Sequence, residues 1–175
     1  MARYTHHQRL DRYDVLRSRP EALSKSQPTD ANAVDAVHRV LTKYYRMVFI
    51  DSGNDESSEQ WQAMIRKADA IVVPTTTRPE HAESARLLLA ELAGADPHCA
   101  NLASNALVVV SQASRAEAAP HDYVETFSRM TRAAVGIPYD PAMAGSPLLL
   151  DSLAPATRRA WLAAGAALTG AFTTN

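Results

Sequence analysis

Three short apolar runs most constrain what this chain can fold into. They are Met47-Val48-Phe49-Ile50, Ala70-Ile71-Val72-Val73 and Ala106-Leu107-Val108-Val109-Val110. A strand with one face in water alternates apolar and polar residues. A run that is apolar throughout fits a strand covered on both faces, as in a parallel sheet. Helical periodicity fills the intervals. Val34, Val37, His38, Leu41 and Tyr45 recur at helical spacing behind a candidate cap at Thr29 or Asp30. Trp61, Met64, Ile65 and Ala68 suggest a short helix. Pro79 stands where a first helical turn begins, and Ala82, Ala85, Leu88, Leu89 and Leu92 carry that helix to Gly94. Residues 121–132 read as a helix with Tyr123, Phe127 and Met130 on one face. Ala134–Ile137 reads as a short strand, and 153–172 as a long alanine-rich helix begun near Pro155.

Alternation of strand and helix predicts an α/β fold, three-layer, with a mostly parallel sheet flanked by helices. Residues 1–12 read as a flexible N-terminus and 13–175 as a single domain. Tyr13–Leu16 is a candidate strand and 17–28 a polar loop with two prolines. The segments 95–105 and 140–150 read as the longest irregular pieces.

Composition removes several classes. Of 175 residues, 46% are hydrophobic and 21% charged, as in soluble globular proteins rather than disordered ones. Eighteen Lys and Arg against nineteen Asp and Glu give a net charge of −1, so there is no strong nucleic-acid or membrane signal. A lone Cys99 excludes an internal disulfide framework and a multi-cysteine metal site. No apolar run approaches the roughly 20 residues of a membrane helix, and no secretion signal is visible at the N-terminus. The expected location is the cytoplasm. The histidines have no metal-site spacing, and Cys99 beside His98 lacks the rest of a nucleophilic constellation.

In parallel sheets ligands bind at the carboxyl ends of the strands. After the first run comes Asp51-Ser52-Gly53-Asn54-Asp55. A carboxylate there suits Mg²⁺ beside a phosphate, and Gly53 permits close backbone approach. The same residues also make an ordinary turn. After the second run comes Thr75-Thr76-Thr77-Arg78-Pro79, hydroxyls at a helix start that suit an anion or simply cap the helix. After the third comes Ser111-Gln112-Ala113-Ser114-Arg115, polar and unspecific. The last strand leads into Gly136-Ile137-Pro138-Tyr139-Asp140-Pro141. No GxxxxGK[ST] phosphate loop occurs, and none of the six glycines lies in a glycine-rich strand-to-helix turn.

In order and spacing these blocks resemble the C-terminal part of MinD/ParA-family P-loop ATPases, closest to actinobacterial MinD-like proteins of chromosome partitioning or type VII secretion. The resemblance rests on Tyr44-Tyr45-Arg46-Met47-Val48-Phe49-Ile50-Asp51-Ser52-Gly53, on Ala68-Asp69-Ala70-Ile71-Val72-Val73 through Leu88 and Leu92, and on Ile137-Pro138-Tyr139-Asp140-Pro141 through Gly145, Leu153 and Pro155-Ala156-Thr157-Arg158-Arg159. It covers nearly all of 13–172. It implies a P-loop NTPase-like sheet lacking the phosphate-loop strand, and a family that binds ATP and Mg²⁺ and works as a nucleotide-bridged dimer in partitioning DNA or positioning a secretion complex. By position, Asp51 would be the carboxylate holding Mg²⁺ through water, and Gly53 would lie in the switch loop. Ser111 and Gln112 would stand near the adenine, and Ile137 and Pro138 would border the base.

The departures are as informative. The deviant Walker A loop is missing, the second switch glycine is gone, and the adenine-side Asn is absent. The expectation is a chain that binds no ATP or Mg²⁺ alone and is an ATPase only if completed by an N-terminal phosphate-loop segment. The alternative is a degenerate, non-catalytic interaction module. A receiver-like signalling domain is a third reading, weakened because Ser111-Gln112 stands where a receiver needs lysine. Without the phosphate-loop strand, the Phe49 and Val72 strands should close up, or a free edge should pair with another chain. Self-association or a partner protein is therefore expected.

Overall fold

The computed structural model describes residues 5–9, 12–16, 31–145 and 148–172. The expected loop at 17–28 and the Thr29 or Asp30 cap lie outside them. Contacts divide the chain into two compact units, Met1–Phe49 and Ile50–Asn175.

In the first unit, β1 (Thr5–Gln8) pairs antiparallel with β2 (Tyr13–Leu16). The N-terminal stretch read as flexible thus supplies a strand. Arg12 makes the turn, with φ of 57° and its amide donating to the Gln8 carbonyl. Helix α1 (Ala31–Tyr44) follows, and buries Val34. The Tyr45 hydroxyl donates to Asp14 of β2, and His7 Nδ1 lies 2.8 Å from the other Asp14 oxygen. Those two bonds, Tyr45 first, hold the Asp14 carboxyl below its ordinary range.

Met47–Ile50, expected as a buried strand, is not one. It is irregular, and Phe49 is 73% exposed. An apolar run becomes a strand only when a neighbour takes its backbone hydrogen bonds. Among the described residues none does.

In the second unit, α2 (Glu59–Ile65) starts at Ser58, whose hydroxyl accepts from the Trp61 amide. Then come β3 (Val72–Thr76), α3 (Pro79–Ala95), α4 (Pro97–Ser104), β4 (Leu107–Ser111), α5 (His121–Ser128), β5 (Ala133–Ile137) and α6 (Pro155–Gly170). The sheet runs β3-β4-β5, all parallel. The protein is therefore mixed α/β, as expected. The segment at 95–105, expected as irregular, is mostly α4: Asp96 caps it by accepting from the Cys99 amide, and Pro97 opens its first turn.

Alternating strand residues feed two cores. Val73, Val108 and Val110 join Trp61, Leu89, Leu92, Leu102 and Phe127 from the helices α2 to α5. Leu107, Val109 and Ile137 face the other way, against Ala164 of α6. Helix α6 packs on β4 and β5. Val72 and Pro74 of β3 stay exposed. No described strand pairs with the outer edge of β3, and 47–50, expected to close up against it, is not a strand. Pro74 fits this edge, since a proline cannot donate to a ladder.

Candidate functional site

The three parallel strands end level with one another, with Thr76 opposite Ser111 and Ser111 opposite Ile137. The ladder then runs one residue further: Thr77 N donates to Ser111 O at 3.1 Å, and Gln112 N to Ile137 O at 2.9 Å. This brings together the segments 77–78, 112–117 and 138–140, the crevice where such sheets hold ligands.

Side chains of the protein itself tie these loops together. The Glu117 carboxylate accepts from the Thr77 hydroxyl at 2.8 Å and the Ala113 amide at 3.1 Å through one oxygen. Its other oxygen accepts from Arg78 Nε at 3.3 Å. The bond from Thr77, then those from Ala113 and Arg78, hold its carboxyl below the ordinary range against the opposing effect of burial. Gln112 donates through its side-chain amide to the Glu117 carbonyl at 2.8 Å and accepts from Tyr139 N at 3.2 Å. The Arg115 guanidinium lies over the Tyr139 ring, 5.9 Å from its centre.

Asp140 fastens the third loop. It accepts from Ala142 N at 3.0 Å and from Ala154 N at 2.7 Å, so one buried carboxylate caps both a short 3-10 turn (Pro141–Ala144) and the start of α6. These bonds, Ala154 first, and one from Thr157 hold its carboxyl below the ordinary value of 3.8. The sign follows from linkage. A carboxyl depressed in the folded state stabilises fully above its unfolded value, and the contribution disappears as pH falls through the lower native value. Asp140→Asn should therefore be less stable than wild type at pH 7, and the gap in urea midpoint should close as pH falls below 3.8. A gap that stays constant to the lowest pH at which both fold would contradict this role.

At the mouth of the β3–α3 turn, Thr76 Oγ1 accepts from Arg78 N at 3.2 Å and lies 2.8 Å from His81 Nδ1. Thr75, one residue earlier, is 7% exposed, and its hydroxyl has no hydrogen-bond partner among the described residues.

The sequence candidates divide sharply. Ser111 ends β4, and Gln112 is the pivot between the β4 and β5 loops. Ile137 is fully buried in the α6-side core, and Pro138 next to it is half-buried. Asp51 is exposed and is not at a strand end. It accepts from Gly53 N at 3.2 Å, in a turn where Gly53 takes φ of 68°. Asp51 takes no part in the network above. Among the described residues no group of three His, Cys, Asp or Glu side chains is placed to hold a metal ion. The sequence holds no GxxxxGK[ST] loop to cradle a triphosphate, and Asp51 is an exposed carboxylate outside the network.

Sequence reading missed Glu117. Its only signal was its isolation: it is the sole acidic residue between Ser111 and Asp122. Asp140 carried a stronger signal, an Asp directly before a Pro, the pattern of a cap.

No family model, no curated protein and no solved structure matches the chain. No helix among the described residues is long and apolar enough to cross a membrane.

Proposed function

We propose that this chain is the C-terminal part of a MinD/ParA-like ATPase, with a P-loop NTPase-like sheet from which the phosphate-loop strand is missing. It acts in partitioning or positioning DNA or a secretion complex, and it hydrolyses ATP only when that segment is supplied. The observation that supports this most is the outer edge of β3, unpaired among the described residues and exposing Val72 and Pro74. A missing neighbouring strand leaves such an edge. The exposed apolar segment 47–50, just before Asp51, fits a strand that lacks the same neighbour. In this reading Asp51 holds Mg²⁺ through water, Gly53 belongs to the switch loop, Ser111 and Gln112 stand by the adenine, and Ile137 and Pro138 border the base.

Titration calorimetry of the chain with ATP and Mg²⁺ should give no binding heat. The chain extended by the coding sequence preceding Met1 should release phosphate from ATP. Asp51→Ala in that longer protein should abolish release. It should change stability by only about 0.5 kcal/mol, because the side chain is exposed. Saturable ATP binding by this chain alone, or full turnover in Asp51→Ala, would overturn the proposal.

A second reading, a non-catalytic interaction module, has its own support: the Thr77 hydroxyl and the Tyr139 and Ala154 amides at the carboxyl ends already donate to Glu117, Gln112 and Asp140. It requires that the extended protein show no ATP turnover at all.

A further inference from the structure

We propose that Glu117 fills an oxyanion site, and that the site takes one phosphate or carboxylate group of a small ligand when Glu117 swings out. Three donors of different origin converge on this carboxylate: the Thr77 hydroxyl, the Arg78 guanidinium and the Ala113 amide. A hydroxyl, a fork of guanidinium N–H groups and a backbone amide are what proteins use to hold phosphates and carboxylates. The Glu117 side chain is 17% exposed although its neighbours Ala116, Ala118 and Ala119 sit at or near the surface.

Gln112 and Ser114 hold the Glu117 backbone, so only its side chain has to move. Around Glu117 the loop is alanine-rich, so moving the carboxylate uncovers little apolar surface. Departure has one main consequence, the loss of an acceptor. Thr77 is 3% exposed, so its hydroxyl would be stranded without water. Arg78 would keep only a 4.0 Å contact with Glu80. The Ala113 amide would lose its acceptor too, and an incoming oxyanion restores an acceptor to all three donors. Two residues before Thr77, the Thr75 hydroxyl is buried and has no hydrogen-bond partner among the described residues. This inference does not depend on the ATPase reading, because it needs no nucleotide and no Mg²⁺.

The probe is inorganic phosphate, followed by amide NMR of the wild-type chain and by calorimetry. Saturable shifts at Ala113 and Arg78 are expected in the wild type. In Glu117→Ala, phosphate should bind roughly tenfold more tightly, since the competing internal carboxylate is gone. Thr77→Val added to Glu117→Ala should reverse the gain. If Glu117→Ala does not fold, Glu117→Gln replaces it, keeping the side chain's shape while removing its charge, and a smaller tightening is expected. Glu117 is a purely structural latch, and the proposal fails, if the wild-type amides show no saturable shift. It fails equally if the folded variant binds phosphate no better than wild type. ATP binding to this chain would sink the proposed function while leaving this result untouched.

Discussion

Phe127→Ala is expected to lose about 3–5 kcal/mol in urea denaturation, the cost of a large aromatic cavity. Phe127 is 2% exposed and lies in the core between the sheet and the helices α2 to α5. Among the described residues it is the largest fully buried side chain. Domains of this size have total stabilities of about 5–15 kcal/mol, so alanine removes a large share and leaves the variant near unfolding at room temperature. Phe127→Leu separates packing from general fragility. It keeps most of the apolar volume and should lose less than about 1.5 kcal/mol if the core repacks. A loss under about 1 kcal/mol for alanine would show that α5 is not docked on the sheet as described.

Gly136→Ala is the second large effect, and its cause is opposite. A Cβ on Gly136 would lie 2.8 Å from Pro120 Cγ, 3.0 Å from Pro120 Cβ and 3.2 Å from Val124 Cγ2. The contacts are with a rigid ring at the start of α5, so the helix must shift away from β5. Overpacking of this kind costs about 1–3 kcal/mol. Pro120→Ala in the same chain should recover part of the loss, with a coupling of about 0.5–3 kcal/mol. Gly165→Ala is the control. It lies inside α6 with nothing within 4 Å of the added Cβ, and should gain about 0.5–1 kcal/mol. Equal effects at Gly136 and Gly165, measured by thermal or urea unfolding, would remove the steric account.

Much of the fold was legible where local chemistry and tertiary need agree. The run 106–110 became β4, whose residues Leu107 to Val110 are all buried between the two helix layers. Pro79 and the apolar spacing that follows marked α3 nearly to the residue. β3 starts two residues later than its apolar run, at Val72 rather than Ala70, and runs on to Thr76. Its boundary is set by pairing with Leu107–Ser111, which hydropathy does not report. Helix α4 was hidden because a proline in a short polar stretch reads as a loop. Only its neighbours show why it coils: Cys99, Leu102 and Ala103 reach the core, and His98 Nε2 lies 3.1 Å from the Ile65 carbonyl of α2.

The site was less legible than the fold. Gln112 was a candidate, but the feature that matters is its two side-chain bonds, one to the Glu117 loop and one to the Tyr139 amide. Asp51 drew attention as an acid at the end of an apolar run. That inference took the run as a strand, whereas 47–50 is irregular with Met47, Phe49 and Ile50 exposed.

What the sequence determined by itself was the class: fully apolar short runs alternating with helical periods demand strands covered on both faces, and β4 obeys that demand. Which runs become strands, and which acids meet which donors, was decided only in three dimensions. A strand needs an edge to pair with, and 47–50 finds none among the described residues while Val72–Thr76 finds β4. Thr77 and Glu117 stand 40 residues apart and touch only because β3 and β4 run parallel in one register, with Thr76 level with Ser111. A one-residue slip would turn every strand side chain to the other face and leave the carboxylate without its hydroxyl.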